Sequence, residues 1–169
     1  EGESDALFER WTIPSPARPL FQAAAANFVM HSPAAVDTQR APRGPLLLIV
    51  SLATQRATLY RNGIPIAIST VSTGRSGHVT PTGVFTILQR DVDHRSNIYD
   101  NAPMPYMQRL TWGGIALHGG TLPGYPASHG CIRLPHEFAK RLYAVTRLGM
   151  TVIITEKADV PRIAPGDPV

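Results

Sequence analysis

The sequence predicts a mostly β domain, a sandwich or curled sheet with one main helix packed on it. Three observations lead there. Short apolar runs recur at Leu46–Ser51, Ala57–Tyr60, Ile64–Thr70, Val84–Gln89, Gly114–His118 and Thr151–Thr155. Segments rich in Gly, Pro, Asn and Ser separate them, as turn chemistry requires. Only one stretch, Pro135–Leu148, carries a clear helical period, and it comes late in the chain.

Residues 1–42 read as an N-terminal extension. Pro14, Pro16, Pro19, Pro33 and Pro42 cut it into short pieces, and Phe21–Met30 has the composition of a short helix. Phe8, Trp11, Leu20, Phe21 and Phe28 are too apolar for a free tail, so the segment is expected to lie along the main domain. That domain spans 43–157, and 158–169, with three prolines, reads as a C-terminal tail.

Within the domain, Leu46–Ser51 is a continuous apolar run, the mark of a buried strand. Asn62-Gly63 tolerates positive φ at both positions, so a tight hairpin should join the next two strands. Ser72–Gly83 is a turn-rich loop, followed by the strand at Val84–Gln89. Arg90–Thr111 is long, irregular and rich in Met and aromatic residues, which argues for a lid packed on the domain. Gly114–His118 is a strand that delivers His118 at its end, and Gly119–Gly130 is a loop leading to Cys131. In the helix, Pro135 suits the first position, Phe138, Leu142 and Val145 form an apolar stripe, Arg147 falls in the last turn, and Gly149 follows as the C′ residue. No repeat of 20 to 50 residues is found.

Composition narrows the function. The 169 residues suffice for one domain with a sizeable core, and 43% are hydrophobic. The net charge is +4, carried almost wholly by scattered arginines, since Lys140 and Lys157 are the only lysines. No basic run supports a nucleic-acid partner, whereas a mild positive charge suits an anionic polymer. One cysteine excludes an intramolecular disulfide. No apolar stretch is long enough to span a membrane. The acidic start, Glu1-Gly2-Glu3-Ser4-Asp5, lacks a signal-peptide pattern, which fits a cytosolic protein or a secreted one whose signal is absent from this chain.

The chemistry concentrates in Ile115–Leu134, which holds Cys131, His118 and His129. A thiol needs a base to act as a nucleophile near neutral pH, and imidazole is the usual partner. Cys131 precedes the expected helix, whose N-terminus would lower its pKa, and Gly130 permits a tight turn. The N–H groups of His129, Gly130 and Cys131 then offer an oxyanion site. The residues alone leave a catalytic and a structural thiol both open, and both histidines compete for the role of base. Arg133 suits a substrate carboxylate or a structural Asp equally. A zinc reading would draw on His94, His118, His129, Cys131 and His136, but no H-E-x-x-H or C-x-x-C occurs, and H-x-C is not a usual zinc spacing.

Ser128-His129-Gly130-Cys131-Ile132-Arg133, with Ile115-Ala116-Leu117-His118-Gly119 upstream, closely resembles the signature of L,D-transpeptidases with the YkuD-type catalytic domain. Thr80-Pro81-Thr82-Gly83-Val84-Phe85 is similar to that family's T-P-x-G-x-F motif, and the resemblance runs from Leu46 to Thr155. The short interval from His118 to Cys131 implies a trimmed active-site loop.

The resemblance implies a β-sandwich-like fold and a peptidoglycan enzyme. By it, Cys131 is the nucleophile that attacks the L-centre carbonyl of diaminopimelate in a tetrapeptide stem, releases D-alanine and forms a thioester. His118 is the base, and the Gly119 carbonyl orients its ring. His129, Gly130 and Cys131 supply oxyanion donors, and Ser128 and Arg133 shape the site. Tyr99, Met104 and Tyr106 line the substrate channel on the lid reading. An amine then takes the acyl group, whether from a second stem in a 3→3 crosslink, a D-amino acid or a lysine of an outer-membrane protein. No metal or organic cofactor is required. The implied location is the periplasm or cell envelope. The alternatives are an L,D-carboxypeptidase-type hydrolase using the same thioester and a non-catalytic wall-binding module.

Overall fold

The computed structural model describes residues 43–158. The expected helix at Phe21–Met30, the rest of the extension and the tail beyond Ala158 lie outside the described residues. The described part folds as two sheets sharing one core, with a single helix.

The first sheet contains β1 (Leu46–Ser51), β2 (Arg56–Arg61), β3 (Ile64–Thr70), β4 (Gly83–Thr86) and β9 (Thr151–Thr155), in the order β3-β2-β1-β9-β4. β1 and β9 run parallel at its centre, and the other pairs are antiparallel. The central position explains the unbroken apolar run of β1, in which Leu47, Leu48, Ile49 and Val50 are all buried. The β2–β3 turn has Asn62 at φ 49° and Gly63 at φ 75°, the pair of left-handed positions that a two-residue hairpin demands.

The second sheet contains β5 (Gln89–Asp91), β6 (Met107–Arg109), β7 (Ala116–Gly119) and β8 (Ile132–Leu134), in that order. The run Val84–Gln89 is therefore not one strand. Ile87 N–H bonds Met150 O, just before β9 of the first sheet, at 3.1 Å, and Leu88 N–H bonds Arg109 O of the second at 2.8 Å. Ile87 and Leu88, between the two strands, are as apolar as the strand residues around them, so local sequence carries no mark of the crossing.

The long segment expected to be irregular is also more ordered than its sequence suggests. It begins and ends in β5 and β6. Between them, Tyr106 N–H bonds Val92 O, Met104 N–H bonds His94 O and Ser96 N–H bonds Ala102 O, at 2.8 to 2.9 Å. The lid is thus a twisted two-stranded arm. Its tip turns through Asp100 and Asn101, at φ 44° and 53°. Asx residues tolerate that conformation. These strands hold three polar-rich residues each, with no alternation for a sequence reading to detect.

Helix α1 (His136–Val145) is shorter than expected. Pro135 caps it rather than opening it, and Ala139 N–H bonds Pro135 O at 2.9 Å. Thr146 is extended and ends the helix, so Arg147 lies outside the last turn. Gly149, at φ 78°, instead supplies the left-handed position of the turn that closes with Met150 N–H on Arg147 O. Phe138, Ala139 and Leu142 face the core with Leu48, Leu59, Ile87, Leu117 and Ile132. No described helix is long and apolar enough to cross a membrane.

Candidate active site

Strands β7 and β8 are parallel neighbours with Leu117 opposite Ile132, His118 opposite Arg133 and Gly119 opposite Leu134. Parallel pairing needs a long connection, and residues 120–131 provide it without a helix. Side chains alternate across a strand. Leu117, Ile132 and Leu134 therefore enter the core, while His118, Arg133 and Cys131, just ahead of β8, turn to the other face. There they wall one cavity of about 590 Å³. Sequence reasoning placed Cys131 and His118 within one segment; the strand register is what makes them neighbours.

The His118 ring is buried at 7% exposure. Its Nδ1 lies 2.8 Å from Gly119 O. A carbonyl only accepts, so Nδ1 carries the proton and Nε2 holds the free lone pair of the neutral ring. Burial pushes the His118 pKa down; the bond to Gly119 opposes this, and the Arg133 and His94 charges reinforce it. A buried imidazole that stays neutral is ready to accept a proton.

The thiol is not the depressed one expected from a helix N-terminus. Burial pushes the Cys131 pKa above its ordinary value of 9.0, while the Ala116 N–H and the Arg133 and Arg109 charges pull the other way. The tertiary reason is β8. This strand intervenes between Cys131 and α1 and spans roughly 10 Å, and the helix field fades within its first turn. Cys131 Sγ donates to Gly114 O at 3.4 Å. The resting pair is thus a thiol and a neutral imidazole. Alkylation of Cys131 by iodoacetamide is expected to keep accelerating above pH 9, and Arg133→Ala should move the midpoint higher still. A midpoint below pH 8 in the rate profile would contradict this account of the thiol.

The loop before Cys131 is tightly held. Ser128 is buried; its Oγ donates to Cys131 O at 2.5 Å and accepts from Gly130 N–H at 3.1 Å. The Gly130 N–H is therefore engaged and does not face the cavity as an oxyanion donor. Gly130 adopts φ 111°, a backbone conformation that favours glycine, whereas the 2.8 Å approach of a Cβ to Ile115 Cδ1 is one that a turn of that side chain relieves. His129 is exposed, and its Nε2 accepts from Arg75 Nη2 at 2.9 Å.

A strap from Ser72 to Thr80 covers the free edge of β8. Ser72 and Arg133 exchange both backbone hydrogen bonds at 2.9 and 3.0 Å, and Ala127 and Ser128 N–H both bond Thr73 O at 3.0 Å. Buried Thr80 joins the strap to the loop before Cys131: its Oγ1 donates to Gly130 O and accepts from Gly74 N–H, both at 2.8 Å. Sequence reasoning missed this role, although Thr80 opens the T-P-x-G-x-F motif. Arg75 and His78 were also missed, since no local pattern marks them.

The arm supplies the remaining wall. Tyr99 and Met104 line the cavity, with Pro103 and Pro105. Tyr106 does not, contrary to expectation. It packs against the core, with its ring 5.3 Å from His136 and 5.9 Å from Tyr143. Tyr106 has φ 57°, a left-handed backbone conformation that sequence does not announce. Of the zinc candidates, His118, His129, Cys131 and His136 all touch the cavity. No three His, Cys, Asp or Glu side chains converge as a metal set among the described residues.

The L,D-transpeptidase catalytic-domain (YkuD) family model matches residues 45–154. No curated protein matches the chain. Among solved structures, an L,D-transpeptidase from Mycobacterium tuberculosis superposes with a TM-score of 0.62 at 24% identity, over 64% of this chain and 57% of that one. L,D-transpeptidase 3 from the same organism, in complex with a faropenem-derived adduct, gives 0.61 at 22% identity, over 66% and 60%. The L,D-transpeptidase of Stackebrandtia nassauensis gives 0.61 at 26% identity, over 82% and 67%. The alignments span 57% to 60% of the length of these mycobacterial structures. Two sheets with one helix, a Cys–His cavity at the end of a parallel strand pair and the family match over 45–154 agree, and this chain belongs to the L,D-transpeptidase catalytic-domain family.

Proposed function

We propose that this protein is a peptidoglycan L,D-transpeptidase of the bacterial cell envelope, acting through a Cys131 thioester. The observation that supports it best is the β7–β8 register, which turns Cys131 and His118 into one cavity. His118 Nε2 removes the Sγ proton as sulfur attacks the carbonyl at the L-centre of diaminopimelate in a tetrapeptide stem. The N–H groups of His129 and Cys131 stabilise the oxyanion. As the tetrahedral adduct collapses, the C–N bond to D-alanine breaks and protonated His118 returns its proton to the departing amine. The thioester remains on Cys131.

An incoming amine then loses its proton to His118 and attacks the thioester, forming an amide and regenerating the thiol. The side-chain amine of a second stem would give a 3→3 crosslink; a D-amino acid or an outer-membrane protein's lysine would be joined in the same way. Tyr99, Pro103, Met104 and Pro105 present an apolar wall beside the site, which favours an organic acceptor over water. Gly119 O fixes the His118 tautomer, Ser128 braces the nucleophile loop, and Arg133 holds positive charge beside the thiol.

The test is mass spectrometry of purified tetrapeptide muropeptides after incubation with the full chain. A dimer that has lost one D-alanine is expected. A shortened monomer alone would establish the hydrolase instead. No change, with Cys131 still open to alkylation, would reject the tetrapeptide donor.

A further inference from the structure

The rim of the cavity carries a second cluster, whose polar side-chain groups the acyl-transfer steps do not use. Arg75 lies on the strap, where its N–H bonds Ser128 O at 3.0 Å and its carbonyl accepts from His78 N–H at 2.9 Å. Gly74, just before it, is wedged against backbone: a Cβ there would lie 2.0 Å from His78 O. The base of Arg75 is therefore rigid. Its Nη2 donates to His129 Nε2, so the His129 proton sits on Nδ1. The His129 ring stacks on Tyr99 from the arm, at 4.5 Å between centroids and 26° between planes. The His78 ring meets it edge-on at 4.8 Å.

This cluster is positive and lacks an acid. Arg75, His78 and His129 are exposed, and among the described residues no carboxylate pairs with any of them. His129 and Tyr99 belong to the wall of the Cys131 cavity, which contains no Asp or Glu among the described residues. Arg75 uses one of its five N–H donors on His129, leaving a fork open to solvent. A guanidinium fork held on a rigid strap next to a ring N–H is suited to a carboxylate.

We infer that Arg75, together with His129 Nδ1–H and His78, forms a carboxylate subsite that grips the acyl donor beside the bond opened by Cys131. The inference rests on the transpeptidase reading. The stem offers two carboxylates near that bond: the α-carboxylate of the terminal D-alanine and the carboxylate at the D-centre of diaminopimelate. Arg75 is a binding and positioning residue; it takes no part in proton transfer.

Initial rates of the full chain and of Arg75→Gln should be measured on three tetrapeptide donors: both carboxylates free, the D-alanine amidated, or the diaminopimelate D-centre amidated. One amidation is expected to raise the wild-type KM about tenfold, and it identifies the carboxylate bound. Arg75→Gln should raise KM on the free donor by a similar factor, lose the preference against that amidation and lower kcat less than it raises KM. Arg75→Lys should restore part of the preference. Cys131 alkylation at the wild-type rate in Arg75→Gln would show that the strap is intact. Wild-type turnover with unchanged KM and preference in Arg75→Gln overturns the subsite alone. An equal loss on all three donors through kcat also overturns it. Absence of turnover of any donor by the wild type overturns the tetrapeptide-donor reading and the subsite with it.

Discussion

Cys131→Ala is expected to abolish the thioester and lower donor turnover by a factor on the order of 10⁴ or more, as loss of a covalent nucleophile does elsewhere. No other cysteine exists to replace it. His118→Gln should cost a smaller factor, about 10² to 10⁴, because it removes only the group proposed as general base. The two losses should not add, since the thiol cannot use the base unless both are present. The pH profile carries the sign of both environments. Burial lowers the His118 pKa, so the acid limb of kcat/KM should fall below pH 6.5, the ordinary imidazole value. Burial raises the Cys131 pKa, so spontaneous thiolate contributes only at the alkaline end. Intact-protein mass spectrometry for the acyl adduct and a pH–rate series check these points. An adduct formed by Cys131→Ala would place the nucleophile elsewhere.

Gly74→Ala should destabilise the domain by about 3 kcal/mol or more, at the upper end for overpacked sites. The added Cβ would lie 2.0 Å from His78 O and 2.6 Å from Thr80 N, both backbone atoms that no rotamer change can move. The strap would have to leave β8, releasing the Gly74–Ser128 bridge and the Thr80 clamp. A fall in Tm of about 10 °C corresponds to that free energy in a domain of this size. Thr80→Val is the companion variant. It keeps the shape but strands Gly74 N–H and Gly130 O, each a loss of about 1 to 3 kcal/mol, so its cost falls in the same range. Thermal melts of the two variants, beside Gly77→Ala, test the packing account. Gly77 has open space around its Cβ position but φ 79°, so its cost is backbone strain alone, about 1 kcal/mol. Equal melts for Gly74→Ala and Gly77→Ala would show that the strap is not held by the Gly74 contact.

The sequence alone determined the parts of this protein set by local physics. β1 was legible because a central strand must be apolar on both faces. The β2–β3 turn was legible because Asn62-Gly63 tolerates two left-handed residues. The face of α1 was legible from Phe138 and Leu142, and the candidate chemistry from a lone cysteine set among histidines. Tertiary structure decided whatever depends on which segments become neighbours. The pairing of β7 with β8 converts a 13-residue separation into a shared face for His118 and Cys131, and no residue between them encodes that register. β8 itself removes Cys131 from the helix N-terminus, so burial rather than a dipole governs the thiol. The arm owes its order to β5 and β6 docking on the sheet, with bonds between residues up to 14 apart, such as Val92 and Tyr106. Thr80 and Arg75 acquire their roles only where the strap meets Gly130 and His129, about 50 residues along the chain. Short-range pattern fixes element type because side-chain period and turn conformation are local. Contacts between distant segments depend on burial summed over the whole core, which a linear pattern does not contain.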